Sequence, residues 1–157
     1  MGSSVQIKYK HIPAYKYITV EDEYTINCKN IRPIKQETFE CDFLKFDVDG
    51  NLTIKVGYAW DGCSGPTHDD KTNMRAGLVH DALYQLMRQG VIERSCQKEA
   101  DIMLRQIMIE DGMLLAENWR ESVLAVTRAW TYYRGVRIAG KKHTKANPEY
   151  DKVYIAP

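Results

Sequence analysis

A histidine followed directly by an aspartate, His80-Asp81, with Tyr84 one helical turn further on, is the part of this chain best suited to chemistry. Upstream lies Asp61-Gly62-Cys63-Ser64-Gly65-Pro66, and downstream Asp101 sits near the start of another apolar-periodic segment. Two glycines within one turn let backbone carbonyls point inward at little steric cost. Those carbonyls, around Gly62, together with the Asp61 carboxylate form a hard-oxygen site of the kind that suits calcium. Asp81 can add a second carboxylate from the helix. Consecutive helical side chains project about 100° apart, so Asp81 can hold the ion while His80 faces a reacting water. If the turn at 90–94 makes the two helices antiparallel, Asp101 can accept from the other ring nitrogen of His80 and fix its tautomer. Tyr84 completes that network. The chemistry is then hydrolysis: His80 takes a proton from water, the water attacks an ester carbonyl, and calcium steadies the oxyanion.

Each residue also has an ordinary structural use. A histidine on an amphipathic helix is often a satisfied core residue, Asp81 can cap or pair, and Asp101 near a helix start complements the helix dipole. The Gly-Pro loop can be a plain strand-to-helix connection. What argues for a site is the combination, in the order one mechanism needs. A metal-dependent phosphohydrolase using His68, His80, Asp81 and Asp101 is weaker, because its ligand set needs a further histidine on a separate helix and His68 falls in the loop.

These residues need a frame. Residues 5–59 are strand-rich, with β-branched and aromatic runs at 5–9, 15–20, 24–28, 39–46 and 52–58. Asp47-Val48-Asp49-Gly50-Asn51 is a turn signal that makes the last two runs an antiparallel hairpin. Its faint likeness to a calcium loop fails for want of the later ligands and closing Glu. A Gly-rich loop at 60–72 follows, and then helices at 73–89, 95–112 and 115–138. The first is capped by Thr72 or Asn73 and closed by Gly90. In the third, Trp119, Val123, Val126, Trp130 and Tyr133 keep near-heptad spacing, which suits a core seam or packing on another subunit; the tryptophans are expected in the core. The predicted fold is one α+β domain over 1–140, a small antiparallel sheet followed by three helices, with a C-terminal tail at 141–157.

At 157 residues and 44% hydrophobic, the chain holds one core. Lysines and arginines (22) nearly cancel aspartates and glutamates (21), so no field favours nucleic acid. The basic stretch Lys141-Lys142-His143-Thr144-Lys145 is a solvated tail or a small anionic patch. No apolar run approaches the roughly 18 residues of a membrane span, and the first residues lack a secretory or myristoylation pattern. The expected location is therefore the cytoplasm of the producing cell, or a particle. Cys28, Cys41, Cys63 and Cys96 form no Cys-x-x-Cys pair, and in that compartment the reduced state is the default, with a Cys63–Cys96 bridge the alternative.

The loop, His80-Asp81-x-x-Tyr84 and Ala100-Asp101 resemble the calcium- and histidine-dependent phospholipase A2 superfamily, in particular its small bacterial and viral members. That resemblance covers about a quarter of the chain. It implies His80 as base, Asp101 as its orienter, and Asp81, Asp61 and the carbonyls around Gly62 as the calcium site, on an antiparallel helix pair. The disulfide-rich frame of that superfamily is missing. Over roughly residues 5–140 the chain resembles an uncharacterised family of bacteriophages and prophages, domain of unknown function 1353. The residues that carry this are Gly57-Tyr-Ala-Trp-Asp-Gly-Cys-Ser-Gly-Pro66, His80-Asp-Ala-Leu-Tyr84, Ala100-Asp101, Asp111-Gly112 and Arg134-Gly-Val-Arg137-Ile-Ala-Gly140. It implies a phage origin, with the protein in the host cytoplasm during infection or in the virion.

Three functions are therefore expected in descending order: a calcium-dependent lipid esterase acting on phospholipid membrane; a non-enzymatic virion or assembly protein that contacts other virion proteins; and an intracellular phage factor that binds a host component. A homo-oligomer through the 115–138 helix is compatible with each.

Overall fold

The computed structural model describes residues 7–11, 16–63 and 69–144. Part of the expected strands at 5–9 and 15–20, Ser64, Gly65 and Pro66 of the loop, His68, and the tail from 145 lie outside the described residues.

The architecture is α+β. Among the described residues seven short strands precede three α-helices: β1 Tyr9–His11, β2 Tyr17–Thr19, β3 Tyr24–Asn27, β4 Phe39–Glu40, β5 Leu44–Phe46, β6 Asn51–Ile54, β7 Ala59–Trp60, then α1 Met74–Arg88, α2 Gln97–Leu115 and α3 Trp119–Ala139. The strands form two antiparallel sheets rather than the single sheet expected, ordered β1-β2-β7 and β3-β6-β5-β4. Two turns interrupt the expected strands, and only the second divides the sheet, because β4 and β5 stay paired in the second one. Residues 39–46 break at Cys41, whose N–H bonds back to Leu44 O at 2.8 Å. Residues 52–58 break at Gly57, whose φ of +92° suits glycine, and the chain then leaves β6 to pair Ala59 with Ile18 in the other sheet.

The 47–51 hairpin forms as expected, with Leu52 opposite Phe46. Asp47 Oδ1 accepts from the N–H groups of Asp49 and Asn51, each at 2.9 Å, and Oδ2 accepts from Asn51 Nδ2 at 2.8 Å. Its oxygens are thus committed to the turn.

Leu44, Phe46, Leu52 and Ile54 turn inward from the second sheet and join Leu78, Val79, Leu83 and Leu86 of α1 in one core. Twelve of the 15 residues of α1 are buried, which makes it the central helix. At its end Gly90, at φ +70°, donates to Met87 O while Val91 donates to Leu86 O, a Schellman closure. The start is less regular: Asn73 occupies the N-cap without a side-chain cap bond, and Asp70 Oδ1 accepts from Thr72 N–H and Oγ1 instead.

Side-chain contacts fix the helix directions. Arg75 meets Asp111, whereas His80 and Tyr84, further along α1, meet Asp101, earlier on α2. The two helices are therefore antiparallel. By the same logic α2 and α3 are antiparallel, since Gly112 faces Ala125 and Asp101 faces Arg137.

Helix α3 corrects two expectations. It begins at Trp119, not near Leu115, because α2 continues to Leu115 and Asn118 caps the new helix by accepting from the N–H groups of Arg120 and Glu121. Its tryptophans are not in the core: Trp119 is 71% and Trp130 46% exposed, and Val123 is exposed beside them. The buried residues of α3 are Ala129 and Tyr132. A Cβ on Gly112 would stand 2.4 Å from that of Ala125, so α2 and α3 approach through small side chains. The tryptophan stripe is rotated about a third of a turn away from that seam.

Candidate active site

Two adjacent turns of α1 carry His80, Asp81 and Tyr84, and α2 carries Asp101 across from them. The Asp101 carboxylate is fully buried and accepts three bonds. Oδ1 takes His80 Nε2 at 2.9 Å and Tyr84 OH at 2.7 Å; Oδ2 takes Arg137 Nη1 of α3 at 3.1 Å. Tyr84 OH and Arg137 Nη1 both donate to Asp101, so its oxygens are acceptors, and the tautomer that matches them has the imidazole proton on Nε2 and the lone pair on Nδ1. The nearest charge to Nδ1 is Asp81 Oδ1 at 3.9 Å, an electrostatic neighbour beyond hydrogen-bond reach. The rings of His80 and Tyr84 lie 4.1 Å apart between centroids, tilted by 36°. Burial opposes charge on His80, but the hydrogen bond to Asp101 and the two carboxylates outweigh it and raise its pKa above the ordinary imidazole value of 6.5. Burial and the Asp101 carboxylate push the Tyr84 phenol up, so it stays a donor.

The start of the Gly-rich loop rests on the same helix one turn earlier. A Cβ on Gly77 would stand 3.0 Å from Cys63 Sγ and 3.3 Å from Gly62 C; glycine at 77 is what admits the loop. Residues 77, 81 and 84 share a helix face, so Gly62–Cys63 lies beside Asp81. Burial, reinforced by Asp81, Asp69 and Asp70, drives the Cys63 thiol far above its ordinary range, and Cys63 Sγ donates to Asn73 O at 3.2 Å. All four cysteines, Cys63 and Cys96 included, are free.

Sequence reasoning missed two residues. Asp69 closes over the loop: Oδ1 accepts Cys63 N–H at 2.9 Å and Oδ2 accepts Tyr17 OH at 3.1 Å, tying the first sheet to the site. Arg137 closes over Asp101 from α3. Nothing local marks Asp69, one of two aspartates before a helix, whereas the spacing of Arg137 from the α2–α3 turn could have placed it opposite Asp101 once the helices were known to be antiparallel. Glycine at 140 leaves room for this network, since a Cβ there would fall 2.3 Å from Tyr84 OH.

Of the residues expected to form the site, His80, Tyr84 and Asp101 are in direct contact and Asp81 adjoins them. Gly62 has φ +77° and lies under the Asp69 carboxylate, whose oxygens would be 2.5 and 2.7 Å from an added Cβ. Asp61 is exposed beside it. Among the described residues no group of three or more His, Cys, Asp or Glu side chains is gathered for a metal ion. The donor chemistry still fits a hard cation: Asp81, Asp61 and loop carbonyls are all oxygen ligands.

Gly62→Ala should cost about 1–3 kcal/mol through its positive φ and the displaced Asp69. Urea denaturation would detect this, and a stability unchanged from the native chain would contradict the described loop.

No family model, curated protein or solved structure matches this chain. No helix among the described residues is long and apolar enough to cross a membrane.

Proposed function

We propose that this chain is a phage-encoded, calcium-dependent esterase of phospholipid, similar in its site to phospholipase A2. The observation that carries the reading is the buried Asp101 carboxylate holding His80 by Nε2 at 2.9 Å, which leaves Nδ1 as the basic nitrogen on the side of Asp81. His80 removes a proton from water at Nδ1. Asp101 keeps the ring in the required tautomer and steadies the imidazolium that forms. Tyr84 and Arg137 hold Asp101 in place from two other directions. Asp81, Asp61 and the carbonyls around Gly62 are the residues that would hold calcium. When bound there, calcium supplies positive charge for the developing oxyanion.

A second reading is favoured by a different observation. The exposed apolar stripe of α3 suits a virion or assembly protein, in which the Asp101 network would serve only to join three helices.

Fatty-acid release from phosphatidylcholine and phosphatidylglycerol vesicles, with calcium and with a chelator, separates the two. The expected result is release that needs calcium and rises with pH as the imidazole loses its proton, because His80 must be neutral to act as base. The stability linkage has the opposite slope. A raised folded-state pKa stabilises fully below the unfolded value and loses that contribution as pH climbs through the folded value. The chain should thus lose some stability over the interval in which it gains activity. A folded, calcium-replete protein that turns over no lipid or ester would overturn the enzyme reading and leave the assembly one.

A further inference from the structure

The peptide unit that joins Gly62 to Cys63 is gripped from two sides. On one side lies α1, where a Cβ on Gly77 would stand 3.3 Å from both Gly62 C and Cys63 N. On the other lies the Asp69 carboxylate, whose atoms would come within 2.5 to 2.7 Å of a Cβ on Gly62. Glycine at both positions lets the helix and the carboxylate close on the same peptide. Asp69 also fixes the plane of that peptide, because Oδ1 accepts the Cys63 N–H at 2.9 Å. The peptide bond is trans, so its carbonyl points opposite to its N–H. The Gly62 carbonyl therefore faces away from Asp69, from a peptide seated one turn of α1 before Asp81.

We infer that Asp69 is a positioning residue for the cation site, orienting the Gly62 carbonyl as an oxygen donor without being a ligand itself. This role rests on the calcium reading above. Both oxygens of Asp69 are committed to donors within the protein: Oδ1 to Cys63 N–H, and Oδ2 to Tyr17 OH at 3.1 Å and Lys16 Nζ at 3.5 Å. Its side chain is only 9% exposed. The anchor and the anchored loop also spring from one sheet. Tyr17 of β2 pairs with Trp60 of β7, and Trp60 leads directly into Asp61 and Gly62. The Tyr17–Asp69 bond thus closes a ring from sheet to loop to carboxylate and back to sheet. That ring resists rotation of the 62–63 peptide, a motion that glycine would otherwise permit at low cost.

Two readouts that need no catalysis test this. The first is hydrogen exchange of the Cys63 amide in the calcium-free chain, followed by NMR. Exchange should be slow in the native chain and in Asp69→Asn, whose amide oxygen still accepts the N–H, and at least about tenfold faster in Asp69→Ala. The second is calorimetric titration of the full chain with calcium alone. Asp69→Ala should weaken binding by about 10- to 100-fold, the usual effect of removing a group that orients a ligand. Asp69→Asn should recover most of that loss, since it restores the hydrogen bond without the charge. Tyr17→Phe keeps the ring and its contacts with Tyr9 and Trp60, removes only the anchor on Oδ2, and should weaken binding by about 3- to 10-fold. Circular dichroism establishes that each variant is folded. Equal losses in Asp69→Ala and Asp69→Asn would mark a ligand or a bare charge and overturn the positioning role. Native affinity in folded Asp69→Ala and Tyr17→Phe overturns it too, as does a Cys63 amide that exchanges as fast in the native chain as in Asp69→Ala. A native chain that binds no calcium overturns the calcium reading itself, and with it the role of Asp69 toward a cation; the other outcomes leave that reading standing.

Discussion

His80→Ala is expected to slow calcium-dependent fatty-acid release by about 100- to 10,000-fold, the usual worth of a positioned general base. Asp101→Asn should fall in the same range, although its side chain keeps its size and remains buried. An amide in place of the carboxylate can present its NH2 to Nε2, which moves the imidazole proton to Nδ1 and occupies the lone pair that must accept a proton from water. It also leaves Arg137 without a charge to answer. His80→Gln separates catalysis from packing, because the amide can still donate to Asp101 yet cannot act as a base at neutral pH. Initial rates on vesicles, with circular dichroism on each variant, are the measurements. Native rates from a folded His80→Gln protein would remove His80 from the mechanism and leave the Asp101 network as a joint between helices.

The largest stability effect is expected at the other end of the α1–α2 contact. Arg75 and Asp111 are both nearly inaccessible. Arg75 Nε lies 3.1 Å from each Asp111 oxygen and Nη2 lies 2.7 Å from Oδ1, while Nη1 donates to Tyr24 OH at 3.1 Å. One guanidinium therefore joins α1, α2 and strand β3. Arg75→Ala leaves the Asp111 carboxylate buried without its cation and should cost about 3–5 kcal/mol. The urea midpoint should fall with little change of slope. Replacing both charges, as in Arg75→Met with Asp111→Leu, should recover most of that loss, since two apolar groups of similar volume need no desolvation of charge. A single variant as stable as the native chain would show that this pair contributes nothing to the fold.

Much of the frame was legible because it depends on local rules. Runs of β-branched and aromatic residues marked strands, and 3.6-residue periodicity marked α1 and α2. Asp47-Val-Asp-Gly-Asn gave the hairpin, and Gly90 gave the end of α1. The misses have equally local causes. The turn at Gly57 sits inside an expected strand, so one expected sheet is two, and the turn at Cys41 splits another strand into a hairpin within one sheet. The start of α3 was placed several residues early because Met113, Leu114 and Leu115 continue an apolar pattern, and the cap at Asn118 outranks it.

For the candidate site the division is sharper. The chain order and residue types alone identified His80, Tyr84 and Asp101 as groups able to share protons, since a histidine and a tyrosine four residues apart must share a helix face. Whether Asp101 reaches that face depends on the direction of α2, which its own residues do not encode; the packing at Arg75–Asp111 and Gly112–Ala125 sets it. Asp69 and Arg137 entered the site only through tertiary structure, because a lone charged side chain carries no periodic signal of where it will be buried. The same holds for α3. Its heptad spacing was plain in the sequence, but spacing is equal for a seam turned to the core and one turned to solvent. The small residues that bring α2 close on one side decided which seam was left outside.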